Sequence, residues 1–375
     1  MFSRSLIVSG GIVLAGSALG AAAAAPDASG TPFTADEVAR IVALGPWPPP
    51  RSADAGNRVS GRPLAIELGR RLFSDPRMSP VGYIACVGCH QTDRAYTDGR
   101  ARAHGLADLP RNTPALANLG LQRWYGWGGA SDSLWMASLR PLLDAREFDS
   151  TPAVVARIYA RDDELARCYR AAFEAVPGDD AERTTAETAK ALAAFVETLV
   201  TGRTAFDAYR DALAAGDRDA AARYPQAAQR GLKLFVGAAG CVACHAGPNL
   251  SDGAFHRGAG SERGRDAGRH ADLEVLNSEL SRRLARYADA ARDGPATARD
   301  ADRGAFRTPG LRNVEVTAPY LHDGSADTLR EAVAHRDADL DAAQRDDLVA
   351  FLRTLTDADG ARRPMPRQQI DCAGG

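Results

Sequence analysis

Two short segments restrict what this chain can fold into more than anything else in it. Cys86-Val87-Gly88-Cys89-His90 and Cys241-Val242-Ala243-Cys244-His245 both read C-x-x-C-H. That spacing is the attachment signature of c-type haem. Each thiol adds across one porphyrin vinyl group, and the next residue sets an imidazole nitrogen beneath the iron. A zinc site built on C-x-x-C would need further Cys or His pairs at close offsets, and none follows. A thioredoxin-type motif would require neither the His nor a second copy. The expected cofactors are therefore two covalently attached c-type haems. Cys168 and Cys372 are left over, either as free thiols or as one late disulfide.

The motifs sit inside a larger duplication. Gly69-Arg70-Arg71-Leu72-Phe73 precedes the first and Gly231-Leu232-Lys233-Leu234-Phe235 the second. Thr97-Asp98-Gly99 is echoed by Ser251-Asp252-Gly253, and the Thr-Pro of Arg111–Pro114 by that of Thr308–Asn313. Trp127-Gly128-Gly129 through Leu134 finds its counterpart in His322-Asp323-Gly324 through Leu329. Apolar residues at three-to-four spacing mark helices over 64–73, 152–173, 181–213 and 340–355, and no run alternates with period two. The fold class is thus mainly α: two duplicated cytochrome c-like domains with one haem each. The stretch 258–303, rich in Arg, Asp, Ala and Gly, reads as an exposed loop with one short helix near 273–287. The tail after Thr356 reads as loose.

The first residues set the compartment. Arg4, the apolar run Leu6–Leu19 and an alanine tract ending before Pro26 make a secretory signal peptide. The divisions are 1–25 signal peptide, 26–60 N-terminal extension, 61–225 first haem domain, 226–358 second haem domain and 359–375 tail. Periplasmic localisation follows, and no later segment has 18 consecutive apolar residues, so no membrane span is expected in the mature protein. With 46 basic against 48 acidic residues there is no electrostatic case for nucleic acid.

The two haem motifs, R-N-T-P at 111–114, W-G-G at 127–129 and the run from Phe306 to Gly324 together resemble the bacterial di-haem cytochrome c peroxidase superfamily, which includes MauG. The resemblance spans about Gly61 to Thr356. It implies an oxidoreductase in which the N-terminal haem, ligated by His90, reacts with hydrogen peroxide, while the C-terminal haem, ligated by His245, stores or passes electrons. It maps the family's inter-haem Trp onto Trp127 and its distal acid–base Glu, six residues after a Pro, onto Glu147 after Pro141. Where the family often has a distal Gln, this chain has Ala137. His104 matches the His that ligates the resting peroxidatic iron in conventional members, or else is a polar loop residue. A Ca²⁺ between the halves is implied at Asn112, Thr317 and Pro319.

One departure concerns the second haem. Fourteen residues after His322, where relatives carry a Met or Tyr ligand, stands Arg336, with His335 beside it. A one-residue shift makes His335 the sixth ligand; an open site is the alternative. The lack of a Met favours an enzyme that stores high-valent equivalents over two haems and Trp127 and oxidises residues of a periplasmic partner protein. The chain is reminiscent in this of the MauG-like di-haem enzymes of methanobactin operons. The alternatives are a conventional peroxidase fed by a small cytochrome or cupredoxin, and a non-enzymatic di-haem electron carrier.

Overall fold

The computed structural model describes residues 32–51, 53–258, 266–291, 296–336, 339–363, 365 and 372; the signal-peptide segment 1–25 lies outside them. The fold is mainly helical. Its one sheet among the described residues pairs Phe255–Arg257 with Ala305–Arg307, antiparallel and three residues long.

Each half is organised on one helix crossing. Pro63–Phe73 packs on Ala181–Val196, and Gln226–Val236 packs on Ala342–Arg353. The repeated glycine explains both crossings. A Cβ at Gly69 would lie 2.0 Å from the Ala191 carbonyl oxygen, and one at Gly231 only 1.9 Å from that of Asp347. Only glycine lets these backbones touch. Caps fix the helix starts: Thr204 with Asp207 and Asp341 with Gln344 form reciprocal capping boxes. The run 152–173 breaks at Asp162, which caps a second helix, Asp163–Phe173. The run 181–213 likewise divides into Ala181–Val196 and Ala205–Ala215.

A second repeated device closes each half. Asn118 and Asn313 both adopt left-handed backbone at the start of a short 3₁₀ turn. The Asn118 amide donates to Leu199 O and its Oδ1 accepts from the Thr201 amide; Asn313 does the same with Leu355 O and the Asp357 amide. Each asparagine therefore ties the haem-side loop to the end of the closing helix.

The apolar cores divide the chain near 200 rather than at 225. The first gathers Val59 to Leu199; the second takes Phe206, Tyr209 and Tyr224 with Phe235 and Phe351, and also Phe33, Ile41 and Leu44 from the extension. The tail, expected to be loose, is tied down where it is described. The Arg363 amide donates to Thr92 O, its buried guanidinium pairs with Asp357, and Cys372 forms a disulfide with buried Cys168. Composition could not show this, because backbone hydrogen bonds, an ion pair and a disulfide, rather than apolar packing, anchor the described part of the tail. Within 258–303 the described residues form helices Arg269–Leu276 and Glu279–Leu284, so the single expected helix is two.

Candidate active site

Both C-x-x-C-H motifs form one tight turn, closed by the amide of His90 on Cys86 O and of His245 on Cys241 O, 2.9 Å each. The two imidazoles are then held alike: His90 Nδ1 lies 3.0 Å from Tyr96 O, and His245 Nδ1 lies 3.0 Å from Leu250 O. Tyr96 and Leu250 both have positive φ, which turns their carbonyls back at the rings. A carbonyl can only accept, so Nδ1 carries the proton and Nε2 keeps its lone pair for a metal. Burial lowers the pKa of both histidines and keeps them neutral. The same burial pushes the Cys86 thiol up to about 12 and Cys89 up to about 11. A dithiol redox site needs the opposite shift.

A cavity of about 620 Å³ connects the two halves. Cys241, Cys244 and His245 form one wall beside Phe235, Leu311, Val333 and Leu352; Trp127 and Asn112 lie further along, with Ala95 and Thr97 of the loop after the first motif. The Trp127 indole N–H donates to Asn112 O at 2.9 Å. Arg307 also lines this cavity, 5% exposed, and its guanidinium reaches only the carbonyls of Gly126 and Thr308. No carboxylate pairs with it among the described residues, and burial lowers its pKa to about 10. A buried cation calls for an anionic partner. An apolar chamber, a neutral imidazole with a free Nε2 and an unpaired guanidinium together fit an iron porphyrin bearing carboxylates.

Glu147 follows the helix Leu134–Leu143 and stands by the first motif, where its charge acts on both Cys86 and Cys89. No hydrogen bond or ion pair engages its carboxylate among the described residues. Burial, reinforced by Asp144 and opposed by Arg140 and Arg146, raises its pKa to about 7. The loop holding His104 packs against it: a Cβ at Gly105 would lie 2.8 Å from Glu147 Cα, and the Ala107 amide donates to Arg146 O. The His104 ring itself is half exposed and turned to Asp108, with Nδ1 2.7 Å from Oδ1. Ala137 sits on the same helix, partly buried against the first core.

Asn112, Thr317 and Pro319 line the one cavity. Asn112 Nδ2 donates to Arg100 O, which leaves Oδ1 as an acceptor. His335 and Arg336 end the helix Leu329–Arg336 and reach the cavity together, and the Arg336 charge acts on His245 and Cys244. The described methionines, Met78, Met136 and Met365, all belong to the first core or pack against it. Arg307 is a residue that motif reading passed over although it stands inside the matched run. Its signal was there: an Arg in a strand this apolar needs a partner.

Comparison with known proteins agrees with this geometry. A family model described as di-haem cytochrome c peroxidase matches residues 63–215. The methylamine utilization protein MauG of Methylorubrum extorquens is 31% identical over 372 residues, covering 95% of this chain and 94% of that protein. The cytochrome c551 peroxidase of Nitrosomonas europaea is 32% identical, covering 77% and 79%. Among solved structures, a MauG-like protein associated with microbial copper homeostasis superposes with a TM-score of 0.65 at 29% identity, covering 85% of this chain and 95% of that one. With duplicated haem motifs in a duplicated helical frame, this chain belongs to the di-haem cytochrome c peroxidase and MauG family of oxidoreductases.

Proposed function

We propose that the chain is an exported, periplasmic di-haem enzyme that takes hydrogen peroxide at the first haem and uses the oxidising equivalents, shared over both haems, to oxidise residues of a partner protein. The observation that carries this reading is the single cavity joining the wall of the second motif to Trp127 and the loop after the first. Cys86 and Cys89, and Cys241 and Cys244, would hold the two haems by thioether bonds, with His90 and His245 presenting Nε2 to iron. When bound, the haems supply iron centres able to accept oxidising equivalents from peroxide. Arg307 would offer its guanidinium to a porphyrin carboxylate. Glu147, half-buried and protonating near neutrality, would take the proton from the near oxygen of peroxide and return one to the far oxygen. Trp127 lies where an indole can carry the equivalent between the halves, its N–H held by Asn112 O.

His104, whose Nδ1 faces Asp108, would offer its free Nε2 to the resting peroxidatic iron. Asn112 Oδ1 with the carbonyls of Thr317 and Pro319 would hold Ca²⁺, whose hard-oxygen preference they meet. His335 is the proposed sixth ligand of the second haem. No described methionine lines that cavity, which favours this reading over a conventional peroxidase with a thioether-ligated haem. The test is one equivalent of peroxide added to fully oxidised protein. A long-lived oxidised spectrum without reductive activation is expected; inertness until half-reduction would establish the conventional peroxidase instead.

A further inference from the structure

The stretch 258–303 has no part in the reaction described above, yet Asp266, Arg269 and Asp272 within it grip the loop that carries Trp127. Asp272, buried, accepts from the Gly128 amide at 2.9 Å. Arg269, also buried, donates to the carbonyls of Gly128 and Gly129 at 3.2 and 2.9 Å. Arg111 bridges Asp266 and Asp272 with four hydrogen bonds of 2.7–2.9 Å. The fit is close enough that a Cβ at Gly129 would lie 2.5 Å from both Arg269 Nη1 and the Phe255 ring. The Arg269 guanidinium lies over two rings that meet edge-on, 4.2 Å from the Trp124 centroid and 4.1 Å from that of Phe255. Arg123 lies 5.9 Å from the same Trp124 ring.

We propose that Asp266–Asp272 is a positioning and insulating clamp: it holds the backbone of the Trp127 loop, and its Arg269 cation keeps Trp124 from taking the oxidising equivalent that Trp127 carries. The inference rests on the relay reading of Trp127. An indole that gives up an electron becomes positive, so a fixed cation on its face disfavours the loss. Arg keeps its charge at any working pH, and a low-dielectric site strengthens the effect. Trp127, three residues on, has no cation over its ring among the described residues, and its N–H donates to a carbonyl, which stabilises a positive indole. The two tryptophans, both half-buried, are thereby split.

Where insulation fails, the net leak is hydroxylation of Trp124. One indole C–H becomes C–OH, the O–O bond of hydrogen peroxide breaks, and its second oxygen leaves as water. Trp124 loses two electrons and the peroxide gains them.

The experiment treats the full di-haem protein with stoichiometric peroxide, without partner, and maps oxygen addition at Trp124 and Trp127 by peptide mass spectrometry. R269Q should raise Trp124 oxidation about ten-fold or more, the effect of a modest barrier change. R269K restores the charge though not both carbonyl bonds, and should bring most of the protection back. Haem content by pyridine haemochrome confirms that each variant is loaded. Should R269Q fail to load, R123E decides, because Arg123 is exposed and lies over the same ring, and its reversal should raise Trp124 oxidation in protein shown by haemochrome to be loaded. Wild-type Trp124 oxidation in R269Q or R123E, or equal leakage in R269K and R269Q, overturns the clamp as an insulator. W127F separates the two readings. An unchanged lifetime of the oxidised state in W127F removes the relay itself, whereas a shortened lifetime with a clean Trp124 in R269Q removes only the insulation.

Discussion

Glu147→Gln keeps the shape of the side chain and removes the group that titrates. Folding moves this carboxyl from 4.5 to about 7, chiefly by burial. At 1.36 kcal/mol per pH unit, ionising it inside the protein costs about 3 kcal/mol more than ionising it in the unfolded chain. The sign is that of a raised pKa: the native state keeps this stability below the unfolded value and loses it as pH rises through about 7. The Gln variant, neutral throughout, should match wild type in guanidinium unfolding at pH 4 and exceed it by up to about 3 kcal/mol at pH 8.

Activity should move the other way. If the carboxylate takes the peroxide proton, the stopped-flow rate of wild type rises between pH 5 and 8 with an apparent pKa of about 7. The Gln variant should be about 10²- to 10⁴-fold slower and flat over that range. Asp144→Asn, which removes the neighbouring anion that helps raise Glu147, should shift the wild-type profile to lower pH. A Gln variant within a few-fold of wild type, or one with the wild-type pH profile, would refute the assignment even if its stability gain appeared, since burial alone explains the gain.

Gly231→Ala drives a Cβ into the Asp347 carbonyl, so it should cost about 3 kcal/mol or more in unfolding by denaturant and release the second haem more readily; an unaltered midpoint would mean the helices can part freely. Cys372→Ser opens a disulfide spanning 204 residues. The chain-entropy relation gives an upper figure of about 5 kcal/mol and engineered cases usually deliver less, so a fall in Tm that reductant reproduces in wild type is expected. Replacing both cysteines of a motif, Cys86 with Cys89 or Cys241 with Cys244, by Ser should remove one covalent haem in the pyridine haemochrome assay. His335→Ala should convert a low-spin EPR signal of the second haem to high spin, and an unchanged signal would return His335 to the surface.

The haem-binding frame was legible because its chemistry is local. C-x-x-C-H needs five consecutive residues, and the glycines before each motif announce a helix contact that nothing larger allows. Asn118 was less visible. Its partner Asn313 stood in a quoted motif, but the shared T-P-x-L-x-N spacing of 113–118 and 308–313 means little until both side chains are seen tying down Thr201 and Asp357. The boundary near 200 was hidden because Phe33, Ile41 and Leu44 join a core built mostly of residues more than 160 positions away. The clamp was the least legible. Asp266, Arg269 and Asp272 lie in a stretch whose composition reads as solvated loop, and burial makes them polar partners for a loop over a hundred residues earlier.

The duplication also shows how one frame supports two unequal sites. The paired asparagines, glycines and carbonyl-held histidines repeat almost atom for atom, so each half presents the same neutral imidazole in the same setting. The differences lie where the repeat is free to vary. The position that holds Trp127 in the first half holds His322 in the second, and His322 stacks on Phe306 at 3.8 Å rather than offering an indole. After Leu134–Leu143 the first half inserts the turn with Glu147 and two further helices before its closing helix. The second half passes from Leu329–Arg336 almost directly to Ala342–Arg353. Among its described residues that short connection carries no insert like the one that holds Glu147, and His335 and Arg336 end the helix there. On the function proposed above, the half with Glu147 would serve proton transfer to peroxide and the half with His335 would hold charge. The asymmetry arises from what was inserted between equivalent helices, while the helices themselves stayed the same.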